Sequence, residues 1–78
     1  MATGIEKLDV HGMNCYQAKV SIDSRLRRTK AYRIRVIHGY HQGTEIRDMV
    51  RQEYQNHPRV LRMDTFCSGE TDLILREI

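Results

Sequence analysis

The sequence predicts an α/β fold: a two-layer sandwich in which a four-stranded mixed sheet carries two helices, in the order β-α-β-α-β-β. Three observations carry that prediction. Short alternations of apolar and polar residues recur at 5–11, 32–36, 60–66 and 71–76, as in strands with one wet face. Two longer stretches instead repeat apolar residues at helical spacing. At 78 residues the chain has room for one domain, residues 1–78, with one modest core. Two helices can cover only one face of such a sheet, so the other must tolerate solvent or a partner.

Leu8 and Val10 alternate with Asp9 and His11 in the first strand. Asn14 with Gln17 three residues later is a capping-box pattern, and Cys15, Ala18, Ile22 and Leu26 form the buried stripe of a helix that frays near Arg28 to Lys30. Tyr32, Ile34 and Val36 alternate with Arg33 and Arg35 in the second strand. Thr44 can cap a second helix with Ile46, Met49, Val50 and Tyr54 on its core face, and Asn56-His57-Pro58 stops it, because Pro58 disfavours helical geometry at His57. The third strand, the Ser68-Gly69-Glu70 turn and the final strand complete the chain. Helices of this length serve as crossovers, so the first three strands run parallel and the last is antiparallel. Alternation then places Asp9, His11, Arg33, Arg35, Arg62 and Asp64 on the uncovered face.

Charged residues make up 29% of the chain with both signs present, which excludes a membrane-spanning segment. No basic region followed by an apolar run opens the sequence, so no secretory leader is expected. Two well-separated cysteines, read as buried structural thiols, fit a reduced cytoplasmic location. The net charge is only +3, yet residues 25–35 hold Arg25, Arg27, Arg28, Lys30, Arg33 and Arg35 without an acid, while Asp64, Glu70, Asp72 and Glu77 crowd the end. That asymmetry fits either a polyanion on one side of the fold or a solvated, charged helix end.

Both strand-to-helix turns carry His-Gly: His11-Gly12 and His38-Gly39. Parallel strands place such turns on one sheet edge, where open α/β sheets bind ligands and where both helix N-termini point unpaired amides at an anion. Gly12, Gly39 and Gly43 would permit close backbone approach, Tyr40 could stack on a base or sugar, and His41 and Gln42 could donate hydrogen bonds. Asp9 and His11, two apart, could do acid–base chemistry or hold a metal, with His38 as a second imidazole. Surface ion pairing of Asp9 with Arg33 or Arg35, and a purely structural His38, are the plain alternatives, and His57 reads as structural.

These residues carry a resemblance. Leu8-Asp9-Val10-His11-Gly12-Met13 resembles the opening motif of Smr domains, the small MutS-related family. Val36-Ile37-His38-Gly39 followed by Gly43 and Arg47 resembles that family's second motif, His-Gly-x-Gly-x-Gly with a Leu-Arg pair after it. The Asn56-His57-Pro58-Arg59-Val60 turn and the stretch from Gly69 to Leu75 are also similar, so the likeness spans residues 6–77. One departure stands out: His41 occupies the place of the middle glycine, in a loop one residue longer.

The resemblance implies a fold similar to the C-terminal domain of bacterial translation initiation factor three. It also implies association with nucleic acid, DNA or RNA, and in several members nicking or RNA cleavage. Family members occur fused to mismatch-repair-like ATPases or alone, and this chain resembles the stand-alone kind. The expectation is therefore a nucleic-acid-binding domain in which Asp9, His11 and His38 do phosphodiester chemistry, with Mg²⁺ or Mn²⁺ as a candidate cofactor. Gly39 and Gly43 would seat the phosphate, with Arg47 at the second motif, and Arg27, Arg28, Lys30, Arg33 and Arg35 would contact its neighbours. The alternative is a non-catalytic module that docks RNA, a ribosome or a protein on the open sheet face, or a homo-oligomer that covers that face with itself.

Overall fold

The computed structural model describes residues 4–39 and 44–77. The elements follow the expected order: β1 (Ile5–Asp9), α1 (Cys15–Arg28), β2 (Arg33–Ile37), α2 (Glu45–Tyr54), β3 (Arg62–Cys67) and β4 (Glu70–Ile74). β1 and β2 pair in parallel, and β4 pairs antiparallel with both β2 and β3, giving the spatial order β1-β2-β4-β3. The first three strands thus share a direction as expected. The last strand is antiparallel to its hairpin partner β3, also as expected, and lies between β2 and β3.

β1 stops at Asp9, two residues earlier than the alternation implies. Gly12, at φ +81°, turns the chain so that the Met13 N–H reaches the Val10 carbonyl at 3.1 Å. Only glycine adopts that left-handed backbone readily. The capping box of α1 forms on both sides: Asn14 Oδ1 accepts from the Gln17 amide at 2.8 Å, and Gln17 Oε1 accepts from the Asn14 amide at 3.1 Å. Thr44 stands at the N-cap of α2 but makes no capping bond; its hydroxyl donates to Asp48 Oδ2 at 3.0 Å instead.

Ala18, Ile22 and Leu26 from α1 meet Val50 and Tyr54 from α2 over Leu8, Ile34, Val36 and Leu73 of the sheet, all buried. Each such side chain removed from water contributes about 1.5–3 kcal/mol before entropy is counted. Tyr54 is fully buried, and its hydroxyl donates to Asp23 Oδ1 at 2.6 Å, tying the two helices together. Burial, then the bond to Asp23, pushes its phenol far above the ordinary value. Burial works against ionised Asp23, but hydrogen bonds from Tyr54 and Lys19 outweigh it and hold that carboxyl below its ordinary value.

His57 has the structural place the sequence indicates, accepting from the Arg59 amide at 3.1 Å and lying against the Tyr54 ring. The cysteines depart from expectation: Cys15 is half-buried and Cys67 is exposed, and both are free thiols. Cys67 follows a register shift between Thr65 and Cys67 that moves it out of the simple alternation. Among the described residues no helix is long and apolar enough to cross a membrane.

Candidate nucleic-acid interface

The two His-Gly turns meet at one sheet edge. The Val10 amide donates to the Ile37 carbonyl at 2.9 Å, which carries the parallel pairing one step past β1. A Cβ at Gly39, whose φ is +75°, would stand 3.5 Å from His11 Cβ. The amides of His38 and Gly39 both donate to the Gly69 carbonyl at 3.0 Å, so the turn between β3 and β4 joins them. Three connections therefore converge where the sequence placed two.

Within this edge the histidines divide sharply. His11 is exposed over 68% of its side chain and Asp9 over 52%. Asp9 Oδ1 accepts from the His11 amide at 3.1 Å and pairs with the His11 ring at Nδ1. Those two bonds, the ring bond first, hold the Asp9 carboxyl below its ordinary value. The ring pairs through Nδ1, which leaves Nε2 without a hydrogen-bond partner among the described residues. His38 instead turns into the protein and is buried. Its Nδ1 donates to the Gly39 carbonyl at 2.9 Å, and its Nε2 accepts from the Thr71 hydroxyl at 3.0 Å. Both of its ring nitrogens are engaged, so it braces the turn.

The predicted arginines also divide. Arg33 and Arg35 lie on the open face with Asp9, as alternation requires, yet neither pairs with it. Arg35 grips Asp72 with two bonds, Nε to Oδ1 at 2.9 Å and Nη2 to Oδ2 at 3.0 Å, and Arg33 adds a third to Oδ2 at 2.9 Å. Asp72 is wholly buried beneath them, while Arg35 and Arg33 keep only 12% and 22% of their side chains exposed. The hydrogen bonds that Arg35 donates to Asp72 raise its pKa further. Asp64 and Glu70 approach the same two cations at 3.4 and 3.7 Å. Most of the positive charge read from β2 is thus neutralised inside the fold.

Arg27, Arg28 and Lys30 remain exposed at the C-terminal end of α1. A 14-residue helix runs about 20 Å, so they stand that far from the His-Gly edge. Arg28 donates to Ser24 Oγ at 3.1 Å, and Arg27 and Lys30 form no ion pair among the described residues. Arg47 pairs with Asp48 at 3.2 Å. The first turn of α2 also holds Glu45, so that helix end already carries its negative complement, whereas the first turn of α1 has no acid. Between the two N-termini, α1 is the one that would draw an anion.

The expected contacts from Tyr40, His41, Gln42 and Gly43 lie outside the described residues. A resident divalent metal finds little to hold it: among the described residues no group of three His, Cys, Asp or Glu side chains could ligate one. Sequence reasoning missed Asp72 and Thr71, because the residues they serve are 33 or more positions away and only the β2–β4 register brings them together.

The family model of the Smr domain matches residues 8–71. Among solved structures, the crystal structure of the Smr domain of Thermus thermophilus MutS2 is similar, with a TM-score of 0.82 over 92% of this chain and 99% of that one at 20% identity. No curated protein sequence matches. At that identity the structural likeness speaks for the fold alone.

Proposed function

The chain belongs to the Smr domain family, and from that premise we propose that it binds nucleic acid at the His-Gly edge and nicks a phosphodiester there. The observation that carries this reading is the solvent-facing Asp9–His11 pair, set between two left-handed glycines at the acid-free N-terminus of α1. Asp9 fixes the tautomer and orientation of His11. Nε2 of His11 then takes a proton from the attacking oxygen or gives one to the leaving oxygen. The capping box uses the Asn14 and Gln17 amides and leaves those of Cys15 and Tyr16, which have no acceptor within the helix, to face a phosphate. His38 acts through the turn it braces, not on the substrate. No step is assigned to a metal, since the donors among the described residues do not form a binding set.

A nicking assay on supercoiled plasmid and on structured RNA tests this, comparing wild type with His11→Ala. Cleavage by wild type that falls at least a hundredfold in the variant is expected, the low end of what one acid–base group supplies. Equal cleavage by both proteins would remove His11 from the chemistry. Salt-dependent retardation without any cleavage would leave a binding module, the reading favoured by His38 having both ring nitrogens occupied.

A further inference from the structure

The His-Gly edge and the cationic end of α1 are far apart, but a groove joins them. At one end it is lined by Met13, Tyr16, Gln17, Val20 and Ser21, and it continues past Met13, Val20 and Ser21 to Leu8, Ser24, Arg25 and Arg28. Each section is shallow and open to solvent, with a volume of about 400 Å³, and the two share three lining residues. Among the described residues no acid lines either section, although Arg25 is paired with Glu6. Tyr16 is 78% exposed although it sits on a packed helix, and Val20, one turn later, is also exposed. They lie off the buried stripe of Ala18, Ile22 and Leu26, so the core does not account for them.

We infer that this groove along α1 holds a single strand of nucleic acid, its bases against Tyr16 and its phosphates between the His11 turn and Arg28. The inference rests on the nucleic-acid reading above and adds which form of the polymer is bound and where. Charge complementarity selects the occupant. The positive helix end stands at one extremity, Arg28 at the other, and an apolar, aromatic floor lies between, which is how proteins combine backbone tracking with base stacking. A paired duplex hides the base faces that Tyr16 would meet. The run of about 20 Å accommodates roughly six stacked nucleotides. The arginines of the open face take no part, since Asp72 already holds them.

The test is fluorescence anisotropy with a labelled oligothymidine of about 12 nucleotides and with a duplex of the same length. Wild type, Tyr16→Ala, Tyr16→Phe and Arg28→Ala are compared over a salt series, with circular dichroism confirming that each is folded. Wild type is expected to prefer the strand. Tyr16→Ala should weaken strand binding roughly tenfold or more, and Tyr16→Phe should retain it, because the ring does the stacking. Arg28→Ala should lower the slope of log affinity against log salt by about 0.7. Equal affinity for strand and duplex, or a Tyr16→Ala variant that binds the strand like wild type, overturns the groove while the general reading stands. Failure of wild type to bind either polymer removes the general reading itself. Self-association that disappears in Tyr16→Ala gives the groove to a second copy and likewise overturns the proposal.

Discussion

The open sheet face and the His-Gly edge both present charged residues, and they use them in opposite ways. On the face, three cation–carboxylate bonds converge on Asp72, which has no contact with solvent. At the edge, Asp9 and His11 hold one another and both remain exposed. A buried network of this kind is costly to break, because each member has already lost its water. The exposed pair costs little to disturb and stays available to a ligand. A run of arginines in a sequence therefore does not define a binding surface until the partners across the sheet are known.

The largest expected effect breaks the face. Asp72→Ala leaves the Arg33 and Arg35 guanidinium groups without their shared acceptor and should cost about 3–5 kcal/mol, read from urea unfolding. A loss below about 1 kcal/mol would mean that the network behaves like a surface pair and that the contrast with the edge is false. Thr71→Val comes next. It removes the hydroxyl that reaches His38 Nε2 and should cost about 1–3 kcal/mol, whereas His11→Ala, at the exposed side chain of the other turn, should stay within about 0.5 kcal/mol.

The fold and the edge were legible early; the face was not. Local signals wrote both helices, the capping box of Asn14 with Gln17, and the two His-Gly turns, since each depends on residues within a few positions. The pairing of Arg33 and Arg35 with Asp72 is not legible, because their acceptor belongs to a strand whose place beside β2 no local pattern reveals. His38 stays open between a catalytic and a structural role in the sequence for a related reason: a strand-end histidine goes outward or inward according to its neighbour, here Thr71. The exposed Tyr16 went unnoticed in a helix judged by its buried stripe.

The smallest expected effect sharpens the comparison at the far end of β1. Thr29 Oγ1 donates to Glu6 Oε1 at 2.6 Å and Arg25 pairs with the same carboxylate, and these bonds, the Thr29 bond first, lower its pKa from an ordinary 4.5. A lowered folded-state pKa contributes stability that is present above the unfolded value and lost as pH falls. Thermal unfolding of wild type and Glu6→Gln should therefore differ at neutral pH and converge below about pH 4. A difference that persists at pH 3 would assign it to packing rather than charge.

The central place of β4 also dictates when the molecule can exist at all. β2 finds its inner neighbour some 36 residues downstream, and Asp72, the acceptor for its arginines, arrives on that same late strand. α1 and the β1–β2 pair draw on one continuous stretch of chain, but β3 joins the sheet only through β4, which lies between it and β2. Assembly is thereby set by a long loop closure between β2 and β4. The docking of β4 is also the step that sets Asp72 beneath Arg33 and Arg35 and closes their network.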